Sequence, residues 1–284
     1  MQNPFSNKFL LDGGREITFS HIGDKTGVPI LYIHGFPGSR YDIKAFFDAE
    51  ALKTQGLQVI SFDRPGLGAS DIKTNRDVHD FSMEVTQLMD SLSIDKFHVI
   101  ANSSGSLYAY ELSHAIPDKL LSIDIIAGFT PSEKDVPKIY TKGFAVDGLM
   151  SRITIVKMKL KLMNKADQYF SKQVPFMIDK ETFASEEILT DLSRAHVVGF
   201  GNDMPGVIRE FKIITTYSGI KAEELNSHFE FWYSENDKMF DLTKIRQGLS
   251  SLKSHNINIV DARSHIHTTL VAMGPILNRI LEKR

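Results

Sequence analysis

The feature that most restricts this chain is a recurring short run of mostly apolar residues, closed by glycine or another turn-forming residue. Pro29-Ile-Leu-Tyr-Ile33 leads into Gly35-Phe-Pro-Gly38, and the pattern returns at Leu57–Phe62, Phe97–Ala101, Leu121–Ile126 and Phe229–Tyr233. A strand that is apolar at every position is buried on both faces, the condition of a parallel sheet covered by helices. Between the runs lie stretches with helical spacing, such as Asp77–Leu92 with Phe81, Val85, Leu88 and Met89 on one face, and Leu107–His114. Strand alternating with helix predicts an α/β fold around a mostly parallel sheet. Residues 15–23 alternate instead, which predicts an early antiparallel strand.

The rhythm stops between Phe129 and Ile220. That segment reads as several helices divided by Pro175, Gly199-Phe-Gly201 and Met204-Pro-Gly206, so residues 129–220 are expected to form a helical cap inserted after the sixth strand. The core is then residues 1–128 and 221–284, and the cap is placed to lid a site. Inside it, Lys157, Lys159 and Lys161 alternate with apolar residues, yet Ile153, Val156, Leu160 and Met163 form a helical stripe. Lys, Leu and Met favour helix, and the lysines read first as a solvated face, with anionic lipid as the sharper alternative.

Composition narrows the class further. The chain is 42% hydrophobic and 24% charged, ordinary globular usage, and its 33 Lys and Arg nearly balance 35 Asp and Glu. A net charge of -2 builds no phosphate-seeking field, so nucleic acid is not expected as a partner. Cysteine is absent, which removes disulfides, thiolate metal sites and cysteine nucleophiles together. The stretch Met1–Lys8 lacks an apolar signal core, and no run of about 18 apolar residues spans a bilayer; a cytoplasmic location is expected. No motif with metal-ligand or nucleotide-binding spacing appears, so no cofactor is implied. His98 in a strand and His114 on a helix read as packing or surface residues.

Ile100-Ala-Asn-Ser-Ser-Gly-Ser-Leu107 follows a buried strand and opens a helix. A serine at the apex of such a turn adopts strained backbone geometry, so the residues two before and two after it must be small. Ser103 has Ala101 and Gly105 at those places; Ser104 would have Asn102 and Ser106. The spacing selects Ser103 as a nucleophile.

Here the sequence resembles the α/β-hydrolase superfamily, whose nucleophile elbow is usually Gly-x-Ser-x-Gly. The pattern departs at Ala101, where glycine is commoner, and at Ser106, where many relatives carry a second glycine. The resemblance implies an eight-stranded, mostly parallel sheet flanked by helices. It also implies a triad in the order Ser, acid, His, with the acid beyond the seventh strand and the histidine beyond the eighth. Asp237 follows Phe231-Trp-Tyr-Ser-Glu-Asn, with Ser234 where relatives show glycine, and His265 follows Ile257-Asn-Ile-Val-Asp-Ala-Arg-Ser. Glu235 and His267 are the rivals at these two corners. His34-Gly-Phe-Pro-Gly-Ser39 resembles the family's oxyanion loop, implying the backbone N–H groups of Phe36 and Ser104 as oxyanion donors. Asp63-Arg-Pro-Gly-Leu-Gly-Ala-Ser70 resembles a further signature, assigned to structure.

Serine at 103 argues against the aspartyl-ester chemistry of dehalogenases and epoxide hydrolases. Phe36 in place of glycine weakens the aminopeptidase branch. The expected reaction is hydrolysis of a carboxylic ester or related acyl bond of a small, fairly apolar molecule. C–C bond hydrolases, lactonases and perhydrolase-type members stand behind it. A triad-bearing small-molecule receptor is the alternative of another class. Phe129, Phe144, Met150, Phe176 and Met177 are candidates for an acyl pocket, with cap packing as the plainer role for each. Sequence leaves the oligomeric state open between monomer and dimer.

Overall fold

The computed structural model describes residues 3–131, 186–200, 204–217 and 219–283. Eight strands form one sheet: β1 (Asn7–Leu10), β2 (Glu16–Gly23), β3 (Val28–Ile33), β4 (Leu57–Phe62), β5 (Phe97–Asn102), β6 (Leu120–Ile126), β7 (Phe229–Tyr233) and β8 (His255–Ile259). Their spatial order is β1-β2-β4-β3-β5-β6-β7-β8. β2 pairs antiparallel with both β1 and β4, and every pairing from β4 onward is parallel. The mostly apolar runs fall where the sequence places them: β4 and β5 are buried at all six positions and β7 at all five. β1, with alternate residues exposed, is too short and too polar to stand out in the sequence.

Helices cover the sheet: α1 (Asp42–Phe46), α2 (Ala49–Thr54), α3 (Asp80–Ser91), α4 (Ser106–Ala115), α5 (Glu186–Gly199), α6 (Met204–Thr216), α7 (Leu242–Leu249) and α8 (His265–Glu282). α3 buries Phe81, Val85, Leu88 and Met89, the stripe its spacing predicts. At about 1.5–3 kcal/mol for each large apolar side chain, that face holds the helix against the sheet. Polar side chains start others. Asp48 caps α2 by accepting the Glu50 and Ala51 amides, and Ser264 caps α8 by accepting the His267 amide at 3.4 Å.

Two helices of the expected cap, α5 and α6, are described. α5 packs on α1 and is tied to it by the Lys44–Asp191 ion pair at 2.7 Å. The end of α5 meets the loop after β3 so closely that a side chain on Gly199 would collide with the Gly38 backbone. α6 rests on the Asp63–Ser70 loop in the same way, Gly206 against Gly66. The Lys157–Lys161 stripe lies outside the described residues, as do Phe144, Met150, Phe176 and Met177. Among the described residues no helix is long and apolar enough to cross a membrane.

Candidate active site

The parallel register brings the carboxyl ends of the central strands to one edge of the sheet. Ile33 pairs with Ala101, Asn102 with Ile126, Ile126 with Trp232, and Tyr233 with Ile259. The loops that leave these ends carry His34–Ser39, Ser103, Asp237 and His265, so residues far apart in sequence meet there. This edge is where open α/β sheets bind ligands.

Ser103 is the first residue beyond β5, with φ +52°. A side chain in that left-handed region is strained, and the surroundings must impose it. They do so by closeness: a Cβ on Gly105 would lie 2.5 Å from the Ile33 carbonyl oxygen, and one on Gly35 would lie 3.1 Å from the Ser103 Cβ. A short 3-10 turn, Ser103–Gly105, then leads into α4. Ser106 also has a role that glycine would lack. Its hydroxyl accepts the Phe129 amide at 2.9 Å, fixing the chain beyond β6.

Asp237 and His265 meet directly. The His265 Nδ1 lies 2.8 Å from the Asp237 Oδ2, and both residues are almost fully buried. A carboxylate only accepts, so Nδ1 carries the proton and Nε2 is the ring's basic nitrogen. The second carboxylate oxygen, Oδ1, accepts the Met239 amide at 2.9 Å, and the Phe240 ring lies over the imidazole with centroids 5.7 Å apart. Ser234, standing where relatives show glycine, joins the two loops. Its hydroxyl donates to the Ala262 carbonyl at 2.6 Å, and Asn236 Nδ2 donates to the same oxygen at 3.0 Å. Of the rivals, Glu235 is exposed, and His267 accepts the Arg263 amide at 3.0 Å on its Nδ1.

Ser103 and His265 line one open pocket. The loop Gly35–Gly38 forms another wall, and Leu192 and His196 of α5 contribute a third. The Phe36 ring packs with its centroid 6.1 Å from Phe200 and 6.0 Å from Phe211. Ser104, fully buried, follows Ser103 in the turn. Phe129 is buried, its ring centre 6.0 Å from that of Phe240. His98 bonds Ser122 at 2.8 Å within the sheet, and His114 is exposed. Among the described residues no group of His, Asp and Glu could hold a metal ion.

Two polar wall residues escape the sequence reading. Asp42, at the start of α1, is 3% exposed, and burial pushes its carboxyl up to about 7, against the opposing pull of the Ser39 amide and Arg64. Its Oδ1 accepts that amide at 3.2 Å. His196 donates from Nδ1 to the Leu192 carbonyl at 2.6 Å, and burial lowers it to about 4, so it is neutral at physiological pH. The available signals were an acid interrupting the apolar face of Ile43 and Phe46, and a histidine one helical turn from Leu192.

Asp42 has a measurable cost. Because its folded-state value is raised, the unfolded chain releases the proton first as pH climbs from about 4 to about 7, and stability falls across that window. Asp42→Asn is therefore expected to raise the Tm by several degrees at pH 8 and by little at pH 4, read by thermal melts at both values. A pH-independent difference would contradict this account.

The sheet order with β2 antiparallel to both its neighbours, the flanking helices and the strand-turn-helix at Ser103 define a class of protein. This chain has the α/β-hydrolase fold. The family model described as alpha/beta hydrolase fold matches residues 28–142. The chain is 32% identical over 117 residues to the dihydrolipoyllysine-residue acetyltransferase component of the acetoin cleaving system of Pseudomonas putida, a match covering 40% of this chain and 30% of that protein. It is 24% identical over 212 residues to the 2-hydroxy-6-oxononadienedioate/2-hydroxy-6-oxononatrienedioate hydrolase of Paraburkholderia phymatum, covering 71% and 70% of the two chains. Among solved structures, one from a study of Nitrososphaera gargenis carboxylesterases superposes with a TM-score of 0.73 at 15% identity, over 98% of this chain and 99% of that one. That likeness is one of fold.

Proposed function

We propose that this protein is a serine hydrolase that cleaves a carboxylic ester or related acyl bond of a small molecule through an acyl-serine intermediate. The observation that carries the reading is the buried His265–Asp237 hydrogen bond, 2.8 Å long, beside a pocket that His265 shares with the strained Ser103. Ser103 is the nucleophile, His265 the general base and Asp237 the group that fixes the imidazole tautomer and stabilises the imidazolium. His265 Nε2 takes the Ser103 hydroxyl proton as Oγ attacks the substrate carbonyl carbon. The oxyanion is held by the Phe36 and Ser104 amides, and the proton passes to the leaving alcohol as the C–O bond breaks. Water, deprotonated by the same histidine, then releases the acid and restores the serine.

Residues 129–220 act in this reading as a cap, with α5 supplying Leu192 and His196 to the pocket. The described wall mixes Phe36, Phe46, Leu192 and Ile266 with Asp42, Asn102 and His196. It suits a compact acyl group that carries a hydrogen-bonding substituent. A second reading, hydrolysis of a C–C bond adjacent to a carbonyl, draws on the 24% identity to the Paraburkholderia hydrolase over 71% of this chain.

A screen of p-nitrophenyl esters of increasing acyl length, run beside vinylogous 1,5-diketones, separates the two. The esterase reading expects ester turnover highest at short acyl lengths, and a fluorophosphonate probe attached to the peptide containing Ser103, read by mass spectrometry. A probe adduct elsewhere, or none, together with no ester turnover, would remove it.

A further inference from the structure

Outside the triad, the most heavily committed polar side chain near the pocket is Arg64, in the loop that sequence assigns to structure alone. It is 0% exposed. Its Nη1 donates to the His34 carbonyl at 2.6 Å and its Nη2 to the Gly35 carbonyl at 3.0 Å. The guanidinium lies 4.7 Å from the centre of the Tyr108 ring. On its far side Nε donates to Glu210 Oε1 at 2.9 Å, and Glu210 belongs to α6, 146 residues away in sequence. Glu210 is itself 0% exposed, pairs with Arg76 as well, and accepts the Tyr108 hydroxyl at 2.8 Å.

The Gly35 carbonyl is half of a peptide group whose other half is the Phe36 N–H. That group is planar and trans, so its C=O and N–H point in opposite directions. Gripping the oxygen therefore aims the N–H. The oxygen is gripped twice, by Arg64 and by the His34 Nδ1 at 2.9 Å. A cationic donor on a carbonyl also polarises the peptide and strengthens its N–H as a donor. Arg64 owes its own placement to the cap helix. Gly206 seats α6 against Gly66, two residues beyond Arg64, and Glu210 follows Gly206 by four residues, on the same helix face.

We infer that Arg64 is a positioning residue for the oxyanion site, and that Glu210 couples the seating of cap helix α6 to the aim of the Phe36 amide. The inference rests on the acyl-transfer reading above. Loss of the cap anchor loosens the peptide at residues 35 and 36, so transition-state stabilisation suffers while ground-state binding changes little.

The test compares Glu210→Gln with the unaltered protein on p-nitrophenyl acetate and its thiono analogue, in which sulfur replaces the carbonyl oxygen. Sulfur accepts hydrogen bonds poorly, so the oxygen-to-sulfur rate ratio reports how well the oxyanion donors are aimed. Expected is a kcat lower by about ten- to a hundredfold, a KM within about threefold and a rate ratio lower by about tenfold. A folded Glu210→Gln protein with an unchanged ratio overturns the coupling and leaves the acyl-transfer reading standing. Absence of ester turnover in the unaltered protein, or turnover that survives Ser103→Ala, overturns that reading and the inference with it. Should Glu210→Gln fail to fold, Tyr108→Phe keeps both ion pairs and removes one hydrogen bond to Glu210. It is then expected to lower the ratio by about twofold or more, and an unchanged ratio overturns the coupling.

Discussion

Ser103→Ala is expected to lower ester turnover by at least about 10⁴-fold while leaving the Tm unchanged or slightly higher. The stability half of that expectation follows from the backbone. At φ +52° serine and alanine bear the same strain, and the substitution removes a hydroxyl from a residue only 5% exposed. The activity half follows from the proposed mechanism, in which the Ser103 hydroxyl oxygen forms the acyl intermediate. Asp237→Asn is the companion variant, with a loss of about 10⁴-fold by a different route. The asparagine carbonyl can still accept the Met239 amide, but its NH₂ would face Nδ1. The imidazole proton would then move to Nε2, leaving no base for the serine. Initial rates on the best ester of the screen read both effects. Ser103→Ala retaining more than about a tenth of the original rate would end the serine mechanism.

Gly105→Ala is expected to damage stability and activity together. The added methyl would sit 2.5 Å from the Ile33 carbonyl oxygen and 3.0 Å from that of His34, both backbone atoms that cannot swing aside. Relief requires the elbow to move off the end of β3, at about 2–3 kcal/mol, which for a chain of this size lowers the Tm by roughly 4–12 °C. The same movement shifts Ser103 and the Ser104 amide relative to the Phe36 loop. A displacement of about 1 Å between reacting groups costs about 10²-fold in rate. Calorimetry and steady-state kinetics on the purified variant read the two losses. Wild-type melting and wild-type turnover together would show that the elbow is not packed as described.

How far the sequence carries the reader differs along the chain for physical reasons. Strands buried on both faces wrote themselves as mostly apolar runs, so β4, β5 and β7 were legible to within a residue, while β1, an edge strand of alternating exposure, was not. The elbow was legible because strain at Ser103 leaves a local trace, small residues at 101 and 105. The departures at Ser106 and Ser234 look like weakened motifs in sequence. Their explanation is tertiary: each hydroxyl bonds to another loop, at Phe129 and Ala262.

The pocket walls were the least legible part. Asp42 and His196 carry only weak local signals, an acid among apolar neighbours and a histidine one turn from Leu192, which do not by themselves separate a pocket residue from a packed one. For Phe129, named from sequence as a pocket candidate, packing alone decided its place beside Phe240.

Local chemistry written along the chain thus settled the order of elements, the mostly parallel sheet and the strained serine, since each depends on residues only a few positions apart. Folding alone decided which carboxylate met His265, that Arg64 holds the peptide at residues 35 and 36, and that Glu210 anchors Arg64 from 146 residues away. Those contacts join strand ends and helices that only the register of the sheet brings together, and a contact between distant segments leaves no period or spacing in a single sequence.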